Sequence, residues 1–379
     1  MPAPQPWFKI QNIIKYKLSY WLLKMLEMKV IKEIETVFRQ FGYEAEDIFN
    51  AIAYFYVNIF MIETSENLTK IIQKGEIISQ VLLKDNTNKR NIEKIIDDYI
   101  RQDKSCNNLT VFYQYFLGKR FRDITGKFFT PDKIAKSMVR MLPIKPHALI
   151  IDPTCGCGTF LKALANFWQN TPCHLIANDV DNMLVCLTEL VLKINQQYRQ
   201  QHQQDISLFT SNIYSPHQEI KSLFGKVDYI LANPPFSLSI DSFSAESELF
   251  ASGYRNSDAL FIDLALELLK PHGRLVSLLP HSIISNKEYE KLRQIVENNW
   301  LLTAIITLPE GIFKTTANTT TRADIIVLDK KGEQRTNKKT IFANISSMGI
   351  PLNNKQKNVQ TDDLEILLKD PDVISILGI

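Results

Sequence analysis

Asp152-Pro153-Thr154-Cys155-Gly156-Cys157-Gly158-Thr159-Phe160-Leu161 is the stretch that decides the fold. A short apolar run, Ala148 to Ile151, leads into it, and a helical segment, Lys162 to Gln169, follows. Strand, glycine turn and helix, in that order, are how a Rossmann-like sheet meets a nucleotide-like ligand at the carboxyl edge of its strands. The glycines admit backbone conformations closed to other residues and let the main chain approach a ligand closely. No third glycine stands at dinucleotide spacing and no Gly-Lys-Ser/Thr follows. Both absences weigh against the dinucleotide and P-loop readings.

Downstream the alternation continues. Apolar runs predict strands at His174 to Ala177, Ile206 to Phe209, Lys226 to Leu231, Arg274 to Leu279, Leu301 to Thr307 and Ala323 to Leu328. Helical spacing covers Asn182 to Asn195, Asp258 to Leu269 and Lys287 to Asn298. The pattern is that of an α/β protein with a doubly wound sheet. The second strand ends in Asn178-Asp179-Val180-Asp181. A carboxylate there can take both hydroxyls of a ribose, a role that falls first to Asp179 and second to Asp181. Either could instead cap the helix that follows.

The fourth strand ends in Ala232-Asn233-Pro234-Pro235-Phe236. Two prolines fix two φ angles and remove two donors, so the turn is rigid and rich in unpaired carbonyls. Asn233 adds a side-chain acceptor and Phe236 a flat aromatic face. Acceptors beside a ring suit a planar group that carries an amine, such as a nucleobase. Alone, the tetrapeptide would read as a stiffened loop with Phe236 in the core. Its place at a strand end of such a sheet favours recognition. Ser237 to Asn256 then forms a Ser-rich loop carrying Phe243, Phe250 and Tyr254.

Before residue 101 no strand pattern appears. Leu18 to Phe41 has helical apolar spacing and stops at Gly42; Glu46 to Ile62, a segment from Ser65 or Glu66, and one around Ile92 to Ile100 continue the pattern. The sequence thus predicts an all-helical domain over 1–110, an α/β domain over 111–330 and a C-terminal tail over 331–379. At the junction, Gly118-Lys119-Arg120-Phe121-Arg122 is a small basic cluster, a candidate phosphate contact. Gly126-Lys127-Phe128-Phe129-Thr130-Pro131 follows, with Thr130 predicted as N-cap and Pro131 as first residue of a helix reaching Met141.

Composition narrows the classes. A chain of 379 residues with 45% hydrophobic and 22% charged residues can bury more than one core. A formal charge of +3 neither marks nor excludes a nucleic-acid binder. Five cysteines without pattern fit a reducing, cytoplasmic compartment. Cys155 and Cys157 have no second cluster beside them and the histidines are scattered, so no metal site is expected. The apolar run Ala51 to Ile62 is too short for a membrane span, and Met1 to Pro6 does not begin a secretory signal.

The order Phe128-Phe129-Thr130-Pro131, then Asp152 to Gly158, then Asn233-Pro234-Pro235-Phe236 resembles the N6-adenine DNA methyltransferases, most of all the modification subunits of type I restriction systems. Tyr113 to Gly118, Ser257 to Phe261, Leu269 to Pro280 and Leu308 to Phe313 are similar to that family as well, so the likeness covers Val111 to Asp329. Cys157 stands where Thr or Ser is usual, Thr159 where Gly is frequent, and Asn212 where Asp is often found. The resemblance implies a Rossmann-like sheet that binds S-adenosylmethionine. Phe129, Thr130 and Pro131 would wall its methionine end, and Asp152 would hold the ammonium. Thr154, Gly156, Gly158 and Thr159 would form the close turn, with Asp179 on the ribose and Asn212 on the adenine. Asn233 and the Pro234 carbonyl would accept the two hydrogens of a flipped adenine amine, with Pro235 stiffening the turn and Phe236 stacking on the base.

The same Asn-Pro-Pro turn serves methyltransferases of protein glutamine and of RNA guanine; a non-catalytic cofactor-binding subunit is a further alternative, against which intact Asn233, Asp152 and Asp179 argue. The Phe-Phe-Thr-Pro segment and the helical preface favour double-stranded DNA. The expected partners are a separate DNA-specificity subunit and a restriction subunit. Base readout needs elements that reach a groove. The insertion Ser237 to Asn256 is too short for that, and roughly fifty residues after Leu328 are at the low end for an independent domain.

Overall fold

The computed structural model describes residues 28–84, 89–103, 107–117, 129–199, 203–243, 247–313, 322–332, 339–349 and 361–379. The basic cluster at 119–122 and Phe128 lie outside them. The chain forms two compact units, Met1–Gly118 and Lys119–Ile379.

The first unit is helical: 28–40, Ala45–Phe60, Glu66–Lys84, Lys89–Arg101 and Asn107–Phe116. Gly42, at φ +80°, ends the first of these where the sequence predicts a stop. The apolar stripes close on a core that includes Ile34, Phe38, Phe49, Ile52, Phe112 and Tyr113. A Cβ at Gly75 would stand 2.1 Å from the Asn50 carbonyl oxygen, so glycine is what lets two helices meet there. Asp103 is buried and accepts from the Tyr56 hydroxyl at 2.9 Å and from the Asn108 and Leu109 amides, capping the last helix.

The second unit is built on one sheet: β1 Ala148–Asp152, β2 Cys173–Asp179, β3 Gln204–Thr210, β4 Val227–Ala232, β5 Leu269–Pro280, β6 Trp300–Thr307, β7 Ala323–Lys330 and β8 Ile341–Asn344. Their order is β3-β2-β1-β4-β5-β7-β6-β8. β1 to β5 run parallel, β7 is antiparallel to both β5 and β6, and β8 is parallel to β6. The chain steps outward from β1 to β3 and then crosses back to β4. The carboxyl ends of β1 and β4 therefore flank the switch point where open α/β sheets bind their ligands. Every residue of β4 is buried, as in a strand covered on both faces, with Asp228 answered by Lys145 and Lys270. Helices Asp132–Val139 and Thr159–Phe167 cover one face, and Ser257–Leu268 and Glu290–Asn299 the other.

Two expectations change. The sequence places a turn at Pro271 to Gly273, whereas β5 starts at Leu269 and accommodates the extra residues as an irregularity: Val227 pairs with Leu269 and Tyr229 with Arg274, with His272 at φ +65°. More consequentially, the segment after 330 is not a tail. β8 pairs with β6, and Met348, Leu364, Leu368, Val373 and Leu377 are buried in the core of the sheet's first face. Lys133 pairs with Asp362 and Arg140 with Glu365, fixing helix Asp132–Val139 to this segment.

Arg274, on β5, carries the deepest of these ties. Its guanidinium bonds Asp329 through two nitrogens, at 2.6 and 3.0 Å, and donates to the carbonyls of Met141 and Leu377 at 2.7 Å each. Thr303 donates to the same carboxylate at 2.7 Å. Removing one partner of a buried pair strands the other charge. Asp329→Ala is expected to lower unfolding stability by about 3–5 kcal/mol, read from urea unfolding of the full chain.

Candidate active site

The turns after β1 and β4 stand side by side because these strands pair, Ile150 with Tyr229 and Ile151 with Ile230. A cavity of about 340 Å³ opens at their ends. Phe129, Thr154, Gly156, Asp179 and Asn212 line it, and the β4 turn contributes Asn233 and Pro235.

The β1 turn is shaped by its glycines. Gly156 has φ +52° and Gly158 φ +71°, and a Cβ on Gly158 would meet Thr188 Cγ2 at 2.9 Å. The Thr188 hydroxyl donates to the Gly156 carbonyl at 2.9 Å. Asn178, wholly buried, joins three strand ends: its Nδ2 donates to the Pro153 and Ser211 carbonyls, and its own carbonyl accepts from the Cys155 amide. Burial raises the thiol pKa of Cys155 and of Cys157, so both remain small neutral side chains. Thr159 opens helix Thr159–Phe167 directly behind Gly158.

Asp179 accepts from the Gly156 amide at 3.1 Å and the Asp181 amide at 3.0 Å, and its residue lines the cavity. Asp181 accepts from the Met183 amide at 2.9 Å and is the helix cap. Asn212 accepts from the Tyr214 amide with Oδ1, which leaves its NH₂ as the donor end. Asp152 is fully buried. Oδ1 accepts from the Thr154 amide at 3.2 Å, and among the described residues Oδ2 has no hydrogen-bond partner. Burial, reinforced by the nearby charge of Asp179, holds its pKa well above the ordinary range. A buried carboxyl with one oxygen unanswered fits a cationic group, and the donor set as a whole fits a ribose-bearing ligand with an amino-acid end.

The β4 turn is held from outside. The Ala232 carbonyl accepts from Ser277 Oγ at 3.3 Å and the Pro235 carbonyl from Ser257 Oγ at 2.8 Å. Among the described residues no donor reaches the Pro234 carbonyl between them. Ser237 sits at φ +55°, a costly conformation for a residue with a Cβ, and both oxygens of Asp258 take its amide at 3.2 and 3.3 Å. Leu238 N donates to Ser257 Oγ, Ser257 N to the Leu238 carbonyl, and Tyr214 OH to the Ser257 carbonyl. Ser257 and Asp258 are thus part of the site's frame. The sequence marks them only as a stretch similar to the family; that an aspartate in the first turn of a helix serves a turn 21 residues away is invisible in the pattern.

Three site residues stand differently from the sequence expectation. Pro131, not Thr130, occupies the N-cap position of helix Asp132–Val139. The Thr130 hydroxyl accepts instead from Asn233 Nδ2 at 3.1 Å. Phe236 is 7% exposed and lies in the core, edge-on to Phe313 with ring centres 6.4 Å apart, rather than along this cavity. The loop after it is zipped at its base by a Ser239–Asn256 bridge and by Ile240 N on the Arg255 carbonyl. Leu238, Ser239 and Ile240 of this loop line the cavity.

The strand order and the carboxyl-edge cavity define a Rossmann-like S-adenosylmethionine-dependent methyltransferase fold. A type I restriction-modification system methyltransferase subunit from Streptococcus thermophilus shares it, with a TM-score of 0.59 and 17% identity over 93% of each chain. Residues 104–370 match the N-6 DNA Methylase family, and the chain belongs to that family. It is 26% identical to the type II methyltransferase M.VspI of Vibrio sp. (strain 343) over 234 residues, 59% of this chain and 54% of that protein. It is 24% identical to the type I restriction enzyme EcoEI methylase subunit of Escherichia coli over 288 residues, 68% and 56% of the two chains. The chain thus spans about half the length of these relatives. Among the described residues no helix is long and apolar enough to cross a membrane.

Asp258 gives the frame a pH dependence. Burial pushes its carboxyl up to about 6 despite the amides that favour its charge. Between an unfolded value of about 4 and that folded value, the native state binds the proton more tightly. Stability contributed by this group therefore falls as pH rises through the window. Asp258→Asn keeps an acceptor for Ser237 and should flatten that fall, measured by urea unfolding at pH 4.5 and pH 7.

Proposed function

We propose that this chain transfers a methyl group from S-adenosylmethionine to the N6 amine of an adenine flipped out of double-stranded DNA. The observation that carries the reading is the meeting, in one cavity, of the β1 turn at Pro153, Thr154 and Gly156, of Asp179 at the end of β2, and of Asn233 on a proline turn whose Pro234 carbonyl accepts nothing from the described residues. Family membership over 104–370 supports it.

Bound cofactor would supply a methyl group on a cationic sulfur, an activated leaving group that asks no further activation of the protein. Asp152 would hold the ammonium end, Asp179 the ribose hydroxyls and the Asn212 NH₂ an adenine ring nitrogen. Thr154, Gly156 and Gly158 would bring the main chain alongside, and Phe129 would close the methionine end with Thr130 and Pro131. Extrusion of the target base costs a few kcal/mol. Asn233 Oδ1 and the Pro234 carbonyl would then accept the two amine hydrogens. Those bonds draw electron density onto the nitrogen, orient its lone pair, and support the positive charge that develops before a proton leaves. The rigidity of the prolines matters here, since acceptors already in place need no reorganisation during the reaction.

The chain would take its sequence specificity from a separate recognition subunit and work beside a restriction subunit. Its second unit carries no insertion of domain size, and phosphate contacts alone do not specify sequence. The chain purified alone should leave no single defined motif methylated on a long DNA; robust methylation at one motif without a partner contradicts this.

Mass analysis of nucleosides from DNA incubated with the complex and S-adenosylmethionine tests the reaction, with N6-methyladenine expected. Asn233→Ala should cut methyl transfer by about 10²-fold or more while calorimetry finds cofactor affinity unchanged; normal turnover would sink the mechanism. For Asp152, a bound cation favours the carboxylate that burial disfavours. Asp152→Asn, which removes that charge, should weaken cofactor binding, read by the same calorimetry.

A further inference from the structure

We infer that Thr130 is a positioning residue for the methyl transfer: its hydroxyl takes an amide hydrogen of Asn233 and so decides which end of that amide faces the target amine. The inference rests on the reading of Asn233 given above. The two side chains are 103 positions apart in sequence, and Asn233 Nδ2 meets Thr130 Oγ1 at 3.1 Å.

An asparagine amide is nearly symmetric in shape but not in chemistry, with two donors at one end and an acceptor at the other. The torsion that exchanges the ends is broad and close to two-fold, so the side chain itself does not choose between them. The amine of an adenine presents two hydrogens. A flipped amide would set donors against donors, with the nitrogen turned away from its electrophile. Backbone geometry at Asn233 is already restricted, because Pro234 follows it. What remains to be fixed is the amide plane, and Thr130 is a contact that fixes it. With Nδ2 on Thr130, Oδ1 is directed to the opposite side of the amide.

Thr130 is well placed for this. Pro131 locks the next φ at −57° and its carbonyl accepts from Ile134 and Ala135, starting helix Asp132–Val139. One turn into the helix, Lys133 reaches the Met348 carbonyl and the Asp362 carboxylate. The hydroxyl is therefore carried on a backbone held from two sides, and it reaches the β4 turn from outside the sheet.

A wall of the cofactor pocket and a positioning residue for Asn233 predict different losses. In the full chain within its native complex, Thr130→Val keeps the side chain's shape and removes the hydroxyl. Turnover should fall about tenfold, the measure of one well-placed hydrogen bond, with the dissociation constant for S-adenosylmethionine within twofold of the parent. Thr130→Ser, which restores a hydroxyl, should recover most of the turnover. A Thr130→Val enzyme with parental turnover overturns the inference, as does a loss of cofactor affinity large enough to account for the slower rate. Failure of Thr130→Ser to recover turnover overturns it too, since the methyl and not the hydroxyl would then be what matters. Asn233→Ala, run alongside, separates the two levels: if that variant turns over normally the role of Asn233 fails, whereas an inactive Asn233→Ala beside a fully active Thr130→Val refutes the part given to Thr130 alone.

Discussion

A turn that contains two prolines cannot bond itself, and the organisation of the second unit follows from that. Pro234 and Pro235 contribute carbonyls and no amides, so every acceptor that is not meant for a ligand must be answered from elsewhere. Ser277, on the neighbouring strand β5, answers Ala232, and Ser257, at the start of a helix, answers Pro235. Asp258 answers the strained amide of Ser237. Between these bonds stand Asn233, which lines the cavity, and the Pro234 carbonyl, which no donor among the described residues reaches. Because the donors are supplied by β5 and by the helix leading into it, this turn would lose its shape in any fold that did not place β5 beside β4.

The same economy governs the β1 side. Asn178 bonds the ends of β1, β2 and β3 with one amide and one carbonyl, so three loops share a single buried anchor. Asp179 then spends two acceptor sites on backbone amides, and these fix its carboxylate without neutralising it. Asp152 is the exception, an acid in a wholly buried position with one oxygen unanswered. A polar group left unsatisfied in the interior carries a free-energy penalty, and such groups collect where a ligand is to complete them.

Much of this is legible in the sequence because it is local. Apolar runs give six of the strands near their observed limits, and the glycine turn after β1 announces its own conformation. What escapes is what depends on distant partners. Thr130 before Pro131 has every local sign of a cap, yet its hydroxyl is committed to Asn233 and the proline takes the cap position. Phe236 follows the turn as a stacking ring would, but hydrophobic neighbours such as Phe313 draw it into the core. The last residues look patchy because their elements are short: a four-residue strand and helices of five and seven residues show too few repeats to declare a period.

Those short elements are where the helix beside the β4 turn is secured. Ile341–Asn344 extends the sheet beyond β6, and the two helices that follow set Leu364, Leu368, Val373 and Leu377 into the core against which helix Asp132–Val139 packs. Arg274 donates to the last turn of the chain, at Leu377, and to Met141 just past that helix, while its charge rests on Asp329. Lys133 and Arg140 on the helix itself reach back to Asp362 and Glu365. The helix is thus pinned at both ends by residues from the end of the chain, and Thr130 lies immediately before its first turn. A hydroxyl that must meet an amide to within a few tenths of an ångström depends, through this helix, on side chains more than two hundred positions later in the sequence.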